Sequence, residues 1–156
     1  RRRTSLTHVV NRLDIQTTRI GQGPAVLTLV VDGVSLVDLV AAYEGSRGYE
    51  PAGAYGGLVP ERLSVMADRG TYLLGTSPDQ LPAIGSAWLL GCSCGEVGCW
   101  PLVARIEVSP RRVRWTDFSQ PFRESWDYTD FGPFVFTRGE YEATVARAAR
   151  MTAGPA

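Results

Sequence analysis

Residues 87–118 read AWLLGCSCGEVGCWPLVARIEVSPRRVRWTDF, and this stretch decides the fold. Three segments rich in aliphatic and aromatic residues, at 87–94, 99–108 and 113–118, are separated by Gly95-Glu96-Val97-Gly98 and Ser109-Pro110-Arg111. Glycine, serine and proline punctuate turns, so the segments read as consecutive strands of a meander. In the middle segment Leu102, Ala104, Ile106 and Val108 alternate with Val103, Arg105 and Glu107. A period of two puts the first set on the buried face of a half-solvated sheet.

Upstream, residues 8–20 alternate loosely and read as a strand. Gly21-Gln22-Gly23-Pro24 turns the chain into a second, β-branched strand at 25–31, closed by Asp32-Gly33. A helix is expected over 34–44. Ser35 is placed as its N-cap, Asp38 stands three residues on, and Gly45 is expected to stop it. Leu36, Leu39, Val40 and Tyr43 mark its apolar face. Residues 46–60 form a Gly- and Pro-rich loop holding Tyr49 and Tyr55, long enough to be a site edge. A short helix at 60–69 and a short strand at 71–74 follow.

Downstream, 119–133 is an aromatic-rich loop and 134–136 a short strand. Thr137-Arg138-Gly139-Glu140 is a capping box opening a helix over 138–151, with Tyr141, Val145 and Ala148 inward. The expectation is an α+β fold: a mostly antiparallel β-sheet or meander with two main helices, at about 34–44 and 138–151, in a single domain over 1–156.

Composition narrows the function classes. Hydrophobic residues are 44% of the chain, which suits a packed core. Sixteen basic residues balance sixteen acidic ones, so no net field recruits nucleic acid or an anionic membrane. The expected partner is a protein or a small molecule. Every basic residue is arginine; with no lysine, Schiff-base and P-loop chemistry are excluded. No apolar run has the length of a membrane span and no export signal is visible, so a cytoplasmic location is expected.

Cys92, Cys94 and Cys99 are spaced C-x-C-x₄-C around the first turn of the meander. On a strand, Cys92 and Cys94 share a face, and the turn returns Cys99 beside Cys94. Gly95 and Gly98 leave room beneath it. Three thiolates so placed are three corners of a tetrahedral zinc site. The fourth ligand would be His8, Glu96, Asp117, water or a partner. Two other readings stand beside this one. The thiols can pack as small hydrophobes, or pair as a Cys94–Cys99 or Cys92–Cys94 disulfide. An odd cysteine count favours thiols or ligands over a disulfide framework.

Two tempting motifs fail. Gly91-Cys92-Ser93-Cys94-Gly95 matches G-x-S-x-G, but a nucleophile elbow needs a following helix and a later histidine. The one histidine is His8, upstream. Cys94-Gly95-Glu96 matches half a deaminase motif, and no cysteine follows Cys99 to complete it.

The C-x-C-x₄-C spacing resembles the zinc-binding post-SET segment of histone methyltransferases, over these eight residues alone and without that segment's fourth cysteine. The longer stretch from Leu89 to Leu102, with Trp126-Asp127-Tyr128 and Phe131-Gly132-Pro133-Phe134, resembles segments of a family of small, uncharacterised actinobacterial proteins. That resemblance implies a bacterial, cytoplasmic protein and supplies no catalytic residues.

Asp117, Glu124, Asp127 and Asp130 are interleaved with Trp115, Phe118, Phe122, Trp126, Tyr128 and Phe131. Aromatic walls with carboxylates can hold a cationic or sugar-like ligand; equally, the aromatics can anchor the loop while the acids face water. The ligand-binding candidates are Tyr49, Tyr55, Trp115, Asp117, Trp126, Asp127 and Tyr128. Two functional readings follow. One is a non-catalytic binding or accessory protein whose cysteine cluster holds a structural zinc. The other is a small enzyme with its site between the 46–58 loop and the acidic–aromatic loop 115–131.

Overall fold

The computed structural model describes residues 10–19 and 21–152. Both ends of the strand expected over 8–20, and with them His8, lie outside the described residues. The elements are β1 (Leu13–Thr18), β2 (Val26–Val31), β3 (Val34–Ser35), α1 (Leu36–Ser46), β4 (Tyr55–Gly56), α2 (Arg69–Leu73), β5 (Ser86–Cys92), β6 (Leu102–Val108), β7 (Arg112–Ser119), β8 (Phe134–Thr137) and α3 (Arg138–Thr152). The fold is α+β, with two antiparallel sheets and α1 and α3 as the main helices. The larger sheet runs β4-β5-β6-β7-β8 in chain order, the meander expected from residues 87–118.

The smaller sheet, β1-β2-β3, is tied to both ends of the larger one. Leu27 and Leu58 exchange two backbone hydrogen bonds of 2.8 Å, joining β2 to the segment just after β4. At the other end the Asn11 amide donates to the Val135 carbonyl at 2.6 Å, and the Asn11 side-chain oxygen accepts from Val135 N–H at 2.8 Å. The hydrogen-bonded path therefore closes on itself. The buried side chains form one cluster drawn from both sheets and from all three helices, including Leu36, Tyr72 and Tyr141. Each large apolar side chain in it contributes about 1.5–3 kcal/mol.

Two bulges correct the phase of the meander. Trp88 pairs with Val103 while Leu90 pairs with Leu102, so β5 carries Leu89 as an extra residue. Leu89 and Leu90 are both buried as a result. On β7, Arg105 pairs with Thr116 but Val103 pairs with Ser119. The extra residue there, at Asp117 with φ +50°, lets Trp115 and Phe118 both point inward. Val108, expected inward, is exposed at the end of its hairpin.

Ser35 caps α1 as expected, its hydroxyl accepting from Val37 N–H at 3.1 Å. The helix runs past Gly45. It stops at Gly48, whose φ of +74° lets Gly48 N–H reach Gly45 O and Tyr49 N–H reach Glu44 O. Residues 71–74, expected as a strand, lie in or beside α2. The Asp68 carboxylate caps that helix by accepting from Thr71 N–H at 3.2 Å. Helical geometry aims the Tyr72 hydroxyl at the bulge in β5, where it accepts from Trp88 N–H and donates to Trp88 O, both at 2.8 Å. Among the described residues no helix is long and apolar enough to cross a membrane.

Tyr141 pins α3 to the core. Its hydroxyl donates to Leu73 O at 2.6 Å and accepts from Trp115 Nε1–H at 3.1 Å, and both rings are buried. Tyr141→Phe keeps the ring but strands a buried indole donor. We expect a loss of about 1–3 kcal/mol in urea unfolding, with no change in slope.

Candidate functional site

The three cysteines converge. The sulfurs of Cys92, Cys94 and Cys99 all lie within 4.8 Å of one another. The convergence does not come from strand register. Only Cys92 is in a strand; Cys99 ends a 3-10 turn over Val97–Cys99, and the return strand begins at Leu102. The turn closes by its own backbone: Gly95 N–H donates to Cys92 O at 3.0 Å and Cys99 N–H to Glu96 O at 3.1 Å. Cys94 N–H points at the Cys92 sulfur at 3.4 Å. The buried Val97 plugs the turn onto β5 at Gly91, where a Cβ would stand 2.8 Å from Val97 Cα. Only glycine admits that approach.

The thiols are accessible. Cys94 and Cys99 are exposed, Cys92 is half-buried, and none is in a disulfide. Cys94 is held below the usual thiol range, first by the backbone N–H of Glu96 and then by Cys92. Cys99 is pushed up to about 11 by its hydrogen bonds to Cys92 and Cys94. Cys94 therefore ionises before Cys99. Sulfur atoms this close and this exposed can bind a thiophilic metal ion.

Of the fourth-ligand candidates, neither Glu96 nor Asp117 joins the group. The Glu96 charge does act on Cys94 through space, in the direction that raises its pKa. Arg62 leans over the turn, its guanidinium donating to Gly95 O at 3.0 Å.

The second candidate region is organised around a residue that sequence reasoning missed. Glu44 is completely buried. Its carboxylate accepts from Tyr55 OH at 2.7 Å, from Gly53 N–H at 2.8 Å and from Tyr128 OH. Gln120 Nε2 donates onward to Tyr55 OH at 3.3 Å and to Pro101 O at 3.0 Å. The signal lay in the helical spacing: Leu36, Val40 and Glu44 recur every four residues on one face, and all three are buried.

This network draws the two loops into direct contact. The Tyr49 ring stacks on Trp126, centroids 4.7 Å apart and planes 4° from parallel. Tyr49 OH accepts from Asp127 N–H at 2.9 Å, and Tyr43 OH donates to Asp127 O at 2.7 Å. Tyr55 and Tyr128 face the Glu44 carboxylate, and Trp115 is core. The Asp127 carboxylate accepts from Thr129 hydroxyl and N–H, which hold it below the usual carboxylate range. Asp117, Trp126, Asp127 and Tyr128 do share one cleft of about 370 Å³, with Phe118 and Phe131. Tyr49, Tyr55 and Trp115 do not line it. Arg123 lies over Trp100 at 4.8 Å and Trp126 at 5.9 Å, so the exposed face of these aromatics already carries a cation.

Burial raises the pKa of Tyr55, Tyr72, Tyr128 and Tyr141, with Glu44 adding to the effect at Tyr55 and Tyr128. A group whose folded pKa is raised stabilises the fold below its unfolded value and loses that contribution as pH climbs. Stability should thus hold up to about pH 10, the value for unfolded tyrosine, and fall steeply above it. In a spectrophotometric titration these four rings should ionise only as the chain unfolds. Glu44→Ala, which strands the buried hydroxyls of Tyr55 and Tyr128 and the part-buried Gly53 N–H, should lower stability by at least about 3 kcal/mol in urea unfolding at neutral pH. No family model, curated protein or solved structure matches the chain.

Proposed function

We propose that this chain is a non-catalytic binding or accessory protein whose C-x-C-x₄-C turn holds a structural metal ion, with zinc the fitting choice. The observation that carries the reading is the convergence of three accessible sulfurs within 4.8 Å. Zinc takes thiolates at about 2.3 Å in tetrahedral array, which places neighbouring sulfurs at spacings inside that limit. Free, accessible thiols suit a reducing compartment, in keeping with a cytoplasmic, bacterial protein whose partner is a protein or small molecule.

The cleft that holds Trp126 and Asp127 is not lined by Tyr49 or Tyr55, which weighs against a site shared by the two loops. A site between the 46–58 loop and the 115–131 loop would have to part the Tyr49–Trp126 stack and the hydrogen bonds to Asp127. The small-enzyme reading keeps one foothold, the cleft at Asp117, Trp126, Asp127 and Tyr128.

Elemental analysis of protein purified without added metal tests the proposal. One zinc per chain is expected, with three thiols becoming titratable on chelation. No bound metal, together with three thiols free in the folded protein, rejects it. Metal that binds only the folded chain stabilises it by about 2.7 kcal/mol at a hundredfold excess over Kd. Cys99→Ser should reduce that increment and leave metal-free stability nearly unchanged, because Cys99 is exposed. A redox role predicts no metal-dependent increment in either protein.

A further inference from the structure

Resting on the metal centre just argued, we propose that its fourth coordination position takes a thiolate from outside the chain. The coordination count leads there. The turn supplies three sulfurs, and among the described residues no histidine or carboxylate joins them; the one histidine, His8, lies outside those residues, so the test below is run on the His8→Ala chain as well as on the natural one. A structural zinc site closes at four ligands. Cys94 and Cys99 are both exposed, so the remaining corner opens to solvent rather than into the core.

The chemistry selects sulfur for that corner. Three thiolates donate strongly to the ion, which then holds water weakly and favours another soft, polarizable ligand. As an outside thiol binds, its sulfur displaces the metal-bound water and its proton passes to the buffer; no oxidant or reductant is needed. Charge is the opposing consideration. Three thiolates around a divalent ion carry one net negative charge, and a fourth makes two. Arg62 answers this, its guanidinium fixed on the turn by the hydrogen bond to Gly95 O. Arginine keeps its charge at every relevant pH. Glu96 acts against it, but its carboxylate stands outside the sulfur group.

The same ligand chemistry has two sources, a small free thiol or a cysteine of a second copy. The test uses the full chain loaded with cobalt(II), whose sulfur-to-metal charge transfer reports the number of thiolates. Adding 2-mercaptoethanol to a monomer should raise that absorbance by about one third as three metal–sulfur bonds become four, with cobalt retained. Ethylene glycol, the hydroxyl analogue, should leave it unchanged. If a second copy is the source, its three cysteines are already ligands, so one thiolate of each copy must bridge the two ions; sedimentation then shows a doubled mass and each cobalt the four-sulfur spectrum before any thiol is added. A monomer whose spectrum ignores the thiol, or one stripped of cobalt by it, overturns this inference and leaves the metal centre standing. A chain that takes up no cobalt overturns the metal centre itself.

Discussion

A carboxylate without water needs donors, and the position of Glu44 imposes that need on three separate segments. The Glu44 carboxyl group sits at the inner face of α1 with no exposure to solvent. Leaving it unpaired would cost several kcal/mol. Gly53, Tyr55 and Tyr128 supply the donors, and they come from the loop after α1, from β4 and from the loop after β7. Satisfying one side chain thus fixes where both long loops lie. The stack of Tyr49 on Trp126 and the hydrogen bonds at Asp127 follow from that placement.

The cysteine turn is held differently. It depends on no charge in the core, but on the seating of Val97 against β5 at Gly91 and on backbone bonds within the turn. The strand beneath it is tied to α2, because Tyr72 satisfies both backbone groups of Trp88 at the neighbouring bulge. The sulfurs are therefore presented on an anchored base while remaining open to solvent, an arrangement that suits ion binding better than packing.

Period-two patterning made the meander legible, and the capping signals at Ser35 and Thr137 located both main helices. The cysteine cluster was legible from spacing, although a 3-10 turn, not a paired strand, carries Cys99. Three features escaped for physical reasons. The bulges at Leu89 and Asp117 shift the phase of a strand without altering its composition. The stop of α1 at Gly48 was hidden because Gly45 is tolerated within a helix and offered an earlier end. The burial of Glu44 was masked by its residue type, since a lone carboxylate on an apolar face gives no sign of its partners until distant tyrosines arrive. Tyr55 and Tyr128, read from the sequence as ligand-binding candidates, both donate their hydroxyls to the protein's own Glu44.

The two bridges that tie the sheets together, at Leu27–Leu58 and at Asn11, bear on how this molecule behaves in a crowd. An open meander ends in unpaired N–H and C=O rows that template the addition of foreign strands. Here the outer strands are brief, with two residues in β4 and four in β8, and the chain next to each already bonds the smaller sheet. The outer rows offer little length for an intruding strand to zip along. Association by backbone pairing, the route to fibrils, is discouraged at both margins of the larger sheet.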